Sequence, residues 1–301
     1  MTTRCSINSD GDTMHATAHT IHINADPETV RTQIADVTLW PDMFPPTVHA
    51  TSRGLDGGEE LIDLWATAHG VLRTWTSRRH HSPQGITFEQ VKPSPPVRSM
   101  RGEWSFKPHE GGTQVLLTHE FEPADPQDLD VICSAVDTNS TAELEALKRA
   151  VTADVEELRV DFRETLVSAK PVEEVYDFIY RSDLWPQRLP HVTQVDLTDT
   201  DGLQDMKMHV ESGVIHTVRV CLPHQIVYKQ LTSPRVMSAH RGQWEFEPVE
   251  DGCRYTSEHH IVLDRDAARE HFGPERSWQD IREAVAGAVR ANTLRTMQAA
   301  Q

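Results

Sequence analysis

The chain has 301 residues, 38% of them apolar and 25% charged, which is the balance of a globular protein long enough for two domains with separate cores. Its 46 acidic residues outnumber its 29 basic ones for a net charge of −17, which argues against nucleic acid or an anionic membrane as a partner, because both are polyanions. No run approaches the roughly eighteen uninterrupted apolar residues of a membrane helix, and the stretch MTTRCSINSDGDTMHATAHT lacks the apolar centre of a secretory signal, so a cytoplasmic protein is expected.

In chain order, a β-like segment over 15–24 leads into a short amphipathic helix, Pro27 to Asp36, with proline at a first helical position. Leu39-Trp40-Pro41 marks a turn, alternating segments broken by Gly and Pro predict an antiparallel meander, and a helical pattern over 127–158 closes the series. The series then starts again, with a β-like segment at 159–168, a helix from Pro171 to Arg181, Leu184-Trp185-Pro186, a second meander and a closing helix over 275–299. Arg-Gly-Glu-Trp-Ser-Phe-Lys-Pro at 101–108 recurs as Arg-Gly-Gln-Trp-Glu-Phe-Glu-Pro at 241–248, and each block precedes a Gly turn and a strand with a histidine, His119 or His259. The offset between copies falls from 145 to 140, a shortening expected in hairpin loops. The pattern predicts an α+β fold of two tandem domains, 1–157 and 158–301, each an antiparallel sheet wrapped on a long C-terminal helix.

Period-two alternation assigns the inward faces. His119 faces in with Val115, Leu117 and Phe121; His259 faces in with Tyr255 and Ile261; Trp104 and Phe106 match Trp244 and Phe246, and His240 adds a second inward histidine to the second copy. Over Val71–Arg79 the odd-numbered face, with Trp75 and Arg79, is read as inward, and Leu222 is taken as the counterpart of Arg79. The closing helices carry Ile132, Val136, Asn139, Glu143 and Leu147 in one copy and Ile281, Val285, Ala288 and Asn292 in the other at helical spacing. A sheet interior of Trp, Phe, His, Arg and Asn is costly as a dry core and suits a cavity for a polar, planar ligand.

Cys5, Cys133, Cys221 and Cys253 show no C-x-x-C spacing, so reduced thiols are expected rather than a disulfide or zinc framework. The pairs His80-His81 and His259-His260 point to opposite strand faces, which argues against joint metal ligation. Trp40 and Trp185 are read as structural anchors of their turns.

The short helix, the Trp-Pro turn, the strand ending Trp-Thr-Ser-Arg-Arg, the Trp-bearing strand, the closing helix with Asn-Ser and the duplication together resemble the two-domain aromatase/cyclases of bacterial aromatic polyketide synthesis. These belong to the helix-grip, START-like (SRPBCC) superfamily, and the resemblance runs from about residue 15 onward. It implies a cofactor-independent reaction on a poly-β-ketone held by an acyl carrier protein. That reaction is aldol closure between carbons 7 and 12 and/or dehydration and aromatisation of the first ring, and a homodimer is a compatible assembly. Carried over by position, the resemblance places the essential arginine at Arg79, aromatic lining at Phe44, Trp75 and Trp104, and a helix asparagine at Asn139; Thr47 stands where single-domain relatives have Tyr. The expected catalytic set is Arg79, His119, His259 and His240, and the expected substrate-binding set is Phe44, Trp75, Trp104, Asn139, Trp244 and Asn292. The alternative is a non-catalytic START-like binding protein for a hydrophobic or aromatic small molecule.

Overall fold

The computed structural model describes residues 6–7, 14–68, 70–93, 95–152, 156–211 and 213–301; Cys5 lies outside them. The chain divides into two compact units, Met1–Ala153 and Asp154–Gln301.

The first unit runs β1 (Ser6–Ile7), β2 (His15–Ile23), α1 (Pro27–Ala35), α2 (Trp40–Met43), β3 (Thr47–Gly54), β4 (Glu59–Ala68), β5 (Val71–His81), β6 (Gly85–Lys92), β7 (Val97–His109), β8 (Gly112–Pro123) and α3 (Leu129–Thr152). Its strands form one antiparallel sheet in the order β1-β2-β8-β7-β6-β5-β4-β3. The second unit runs β9 (Arg159–Ser168), α4 (Val172–Tyr180), α5 (Trp185–Arg188), β10 (Val192–Thr200), β11 (Leu203–Val210), β12 (Gly213–Leu222), β13 (Gln225–Thr232), β14 (Met237–Val249), β15 (Gly252–Leu263), α6 (Arg265–Phe272) and α7 (Trp278–Ala300). Its sheet order is β10-β11-β12-β13-β14-β15-β9, again antiparallel. Each is the α+β helix-grip arrangement, with a long helix against the inner face of a meander.

Local chemistry explains the elements. Asp26 caps α1 by accepting hydrogen bonds from the Glu28 and Thr29 amides, with Pro27 in the first turn. Pro171 is instead the N-cap of α4, one residue outside the helix. In β2, Thr17, His19, Ile21 and Ile23 are buried while Ala18, Thr20 and His22 are exposed, so the period of two separates core from solvent. Leu144 and Leu147 of α3 pack on Ile21, Phe106, Val115 and Leu117 to form the main core of this unit. In place of one helix over 127–158, Pro126–Asp128 and Glu156–Leu158 are 3-10 turns flanking α3, and α6 is a short helix that the sequence pattern does not announce.

Strand pairing fixes how the copies correspond. Ser52 faces Ile62 and Leu197 faces Met206, which moves the offset from 145 to 144 across the β3–β4 turn. Ala66 faces Arg73 and Val210 faces Gly213, which moves it to 140 across the next hairpin. The second copy therefore loses its residues in these two hairpins. Arg79 pairs with Phe88, which pairs with Gly102; Arg219 pairs with Tyr228, which pairs with Gly242. The counterpart of Arg79 is thus Arg219 and not Leu222. The four-residue deletion completes before β12 begins, so an offset interpolated between the two repeated motifs lands three residues late.

Candidate active site

The inner face of the first sheet, α2 and α3 enclose a cavity of about 450 Å³. Phe44, Trp75, Arg79, Trp104, His119 and Asn139 all line it. The odd-numbered face of β5 supplies Val71, Arg73, Trp75, Ser77 and Arg79 to one wall, as the alternation requires. Val71 and Val131 line the cavity and are each 52% exposed, so they mark its mouth, and Arg73 lies next to Val71 on the same strand face. Thr47, at the position of the relatives' Tyr, is buried and lines the same space.

Arg79 is only 2% exposed and is held on several sides. Its Nη1 donates to the Ile34 carbonyl at 2.8 Å and its Nη2 to the Ala35 carbonyl at 2.6 Å, at the C-terminal end of α1 where helix carbonyls lack intrahelical partners. Nε and Nη2 donate to Glu60 Oε1 at 3.0 and 2.5 Å. The guanidinium lies 5.4 Å from the Trp40 ring centroid. Glu60 also meets His81 Nε2 at 2.5 Å and accepts from Ser52. Burial works against its charge, yet the hydrogen bonds from Ser52 and His81 and the Arg79 charge hold its pKa below the ordinary carboxylate value. With four of five guanidinium hydrogens committed, Arg79 presents a fixed cationic wall with one Nη1 hydrogen left. Trp40, read from sequence as a turn anchor, also lines the cavity beneath this cation.

His119 lies across the cavity floor on β8. Gly102 on the neighbouring strand, where a Cβ would collide with the Phe88 ring, lets that ring lie over β7 and meet His119 edge-on at 5.4 Å. Nδ1 of His119 is buried without a protein hydrogen-bond partner. Burial, reinforced by nearby His19, pushes its pKa down to about 4, so the ring is neutral at physiological pH. Glu143 on α3 lines the same cavity, and burial pushes its pKa up to about 7. Sequence reasoning placed Glu143 on the buried stripe without giving it a role; a lone carboxylate among apolar stripe positions was the available signal.

In the second unit the equivalent interior is knitted together. His259 is 4% and His240 5% exposed. Thr293 gives its hydroxyl hydrogen to the Val289 carbonyl, so His259 Nε2 donates to Thr293 Oγ1 at 3.0 Å. That leaves Nδ1 to accept from the Tyr228 hydroxyl at 2.8 Å, with His240 Nε2 at 3.1 Å and Ser257 Oγ 3.0 Å from Nε2. Phe162 stacks on the ring at 4.7 Å. Burial, then the neighbouring histidines, push His259 down to about 3; burial, then His260, push His240 down to about 4. By strand register, Tyr228, His240 and Ser257 stand where the first unit has Phe88, Met100 and Leu117, and Phe162 stands where it has Thr17. Arg219 donates to the Ile179 carbonyl at 2.6 Å beneath Trp185, 5.6 Å away, repeating the Arg79 seat, with Gln204 in place of Glu60.

Trp244 is buried in the core of the second unit. Asn292 is exposed and accepts from Arg295, so the expectation that it lines a cavity is corrected. The inward stripe of α7 steps by four residues through Ile281, Val285, Val289 and Thr293, which rotates Asn292 by about 100° toward solvent. His259 and His260 do point to opposite faces, the latter to Asp161 at 2.8 Å. Cys133 and Cys221 are half-buried, Cys253 is buried, and none of the three is in a disulfide.

Two family profiles, both described as polyketide cyclase / dehydrase and lipid transport, match residues 14–152 and 168–273. The chain is 36% identical over 305 residues to the actinorhodin polyketide synthase bifunctional cyclase/dehydratase of Streptomyces coelicolor, covering 94% of this chain and 95% of that protein. It is 34% identical over 302 residues to the granaticin polyketide synthase bifunctional cyclase/dehydratase of Streptomyces violaceoruber, covering 95% and 93%. Among solved structures, the di-domain ARO/CYC BexL from the BE-7585A biosynthetic pathway superposes with a TM-score of 0.83 at 38% identity, covering 95% of this chain and 97% of that one.

Proposed function

We propose, because this chain belongs to the polyketide cyclase/dehydrase family, that it is an aromatase/cyclase of aromatic polyketide synthesis whose chemistry takes place in the cavity of the first unit. The observation that carries this reading is the convergence of Arg79, His119, Glu143 and Asn139 with the aromatic walls Phe44, Trp75 and Trp104 on one cavity of about 450 Å³. Full-length relatives named cyclase/dehydratases favour it over a passive carrier.

Poly-β-ketones are acidic between their carbonyls and close into several rings unaided, so holding one folded conformer is the main task. Positioning of that kind supplies up to roughly 7–11 kcal/mol. The aromatic walls flatten the chain, Asn139 orients a carbonyl, and the remaining Arg79 hydrogen stabilises the oxygen on which negative charge develops. Neutral His119 takes the proton from the methylene carbon, the carbanion adds to the acceptor carbonyl between carbons 7 and 12, and the alkoxide takes a proton. Glu143, partly protonated near neutral pH, then delivers a proton to the departing hydroxyl, and loss of water and enolisation give the aromatic ring. No step calls on a cofactor. The substrate arrives on an acyl carrier protein, through the mouth marked by Val71 and Val131, in the cytoplasm. We place the functional domains at 1–157 and 158–301, with His240 and His259 of the second serving its packing.

The test is product profiling of a reconstituted minimal polyketide synthase with and without this protein. A mixture of shunt products should collapse to one aromatised ring pattern. A collapse seen only with a ketoreductase present assigns the dehydrating reaction on a reduced chain, and unchanged products under both conditions refute the reading.

A further inference from the structure

Beside the cavity of the first unit, three residues at neighbouring ladder positions of β2 and β8 each carry a buried polar atom without a protein partner, namely Thr17 Oγ1, His19 Nδ1 and His119 Nδ1. The register places them together. Thr17 is directly opposite His119 on the antiparallel ladder, so their Cβ atoms are about 5 Å apart on the same face. His19 lies two residues along the same face of β2, roughly 7 Å away, and is 3% exposed. Each such orphan costs on the order of 1–3 kcal/mol if nothing pairs with it.

The far side of His19 is engaged. Its Nε2 lies 2.9 Å from Asp137 Oδ1 on α3, and that side chain is 47% exposed. A carboxylate only accepts, so Nε2 carries the hydrogen and the buried Nδ1 is a bare lone pair. Thr17 contributes a hydroxyl with no acceptor, and His119 a second unpaired ring nitrogen. A single water, with two donors and two acceptors, satisfies all three.

We infer that Thr17, His19 and His119 hold one ordered water, and that this water, His19 and Asp137 form a proton path from the cavity histidine to the surface. The path rests on the reading that His119 moves protons in the cavity. A substrate proton bonds to His119 Nε2 as the Nδ1 hydrogen passes to the water. The water passes one of its own hydrogens to His19 Nδ1, and His19 releases its Nε2 hydrogen to Asp137 and solvent. The substrate C–H bond breaks as the first N–H forms, every later N–H or O–H bond forms as another breaks, and the reverse passage resets His119 before dehydration. A ring with so low a proton affinity benefits from an outlet, because it cannot retain the proton between steps. The second unit has no equivalent path. Phe162 takes the place of Thr17 and covers His259, and Glu164, at the place of His19, pairs with Arg290. The ionisable groups lining the first cavity are Arg73 and Arg79 from β5, His119 from β8 and Glu143 from α3, with the His19–Asp137 pair beside it; β6 and β7 present Phe88, Met100 and Trp104.

The experiment compares Asp137→Asn and Thr17→Val in the full chain by single-turnover formation of the aromatised product across neutral pH, with and without added formate. Asp137→Asn should slow product formation by roughly tenfold to a hundredfold, flatten its pH dependence, and regain rate with formate, which replaces the missing surface acceptor. Thr17→Val should slow it similarly without rescue, because the water itself is displaced. Nitrogen-15 spectra of the labelled histidines should show His19 protonated on Nε2 in the wild type, whatever the catalytic outcome. Wild-type rates in both variants, or losses that formate restores in neither, overturn the path; if His119→Ala also retains full activity, the reading of the cavity falls with it.

Discussion

The hydroxyl of Tyr228 lies 2.8 Å from Nδ1 of His259. At the matching ladder position of the first unit Phe88 meets His119 edge-on and offers no hydrogen bond. The Tyr228 hydroxyl, together with Ser257, His240 and Thr293, closes His259 into a hydrogen-bonded core, whereas His119 is left open to a cavity. Phe88→Tyr should place a hydroxyl beside the His119 ring. We expect about 1 kcal/mol of added stability and roughly tenfold slower aromatisation, measured by thermal melting and product formation on the same preparation. Unchanged turnover would show that leaving this edge of His119 open plays no part in the chemistry.

Glu60 is the counter-charge of a nearly inaccessible cation. Glu60→Gln leaves the Arg79 guanidinium without it and should destabilise the first unit by about 3 kcal/mol. Arg79→Lys should lower activity more than stability, because a point charge cannot make the carbonyl contacts to Ile34 and Ala35 and the paired contact to Glu60 together. Chemical denaturation with product assays separates the two effects.

Glu143→Gln keeps the shape of the side chain and removes its titration. The cyclised, undehydrated intermediate should accumulate, with dehydration slowed by roughly a hundredfold, and mass spectrometry would detect the extra water. Normal aromatised product from this variant would exclude Glu143 as the acid.

Stability should fall as pH is lowered from 6.5. His119, His240 and His259 have folded values near 4, 4 and 3 against 6.5 when unfolded. The unfolded chain therefore binds protons that the folded chain refuses, and their contribution is complete above 6.5 and lost toward 3–4. Glu60, also depressed, adds a further loss below its unfolded value of 4.5. Melting temperatures by circular dichroism should decline steadily over this range; a flat profile between 6.5 and 4 would contradict the burial of neutral histidines.

Much of this architecture was legible because duplication is visible in rare residues. Trp40 and Trp185, and Trp104 and Trp244, locate both copies; alternation in β8 and β15 orients His119 and His259, and in β5, where neither face is cleanly polar, Trp75 marks the inward face that also carries Arg79. What was hidden depends on pairing across strands. Leu222 was matched to Arg79 because no linear signal shows where a hairpin shortens, and only the ladder reveals Arg219. Asn292 was misplaced because a helix stripe can advance by three or four residues, and packing against β15 selects four. The saturation of His259 was invisible for a similar reason, since Tyr228, Ser257 and Thr293 come from three separate elements.

We place ring closure in the first cavity and read the second interior as a packed support. The most direct measurement is the product profile of a minimal polyketide synthase supplied with His119→Ala or with His259→Ala, each first shown to be folded by circular dichroism. We expect His119→Ala to return the shunt mixture seen without the protein, while His259→Ala, though less stable, still directs formation of the single aromatised ring. The opposite pattern, with the ring lost only in His259→Ala, would contradict the account and move the chemistry to the second unit.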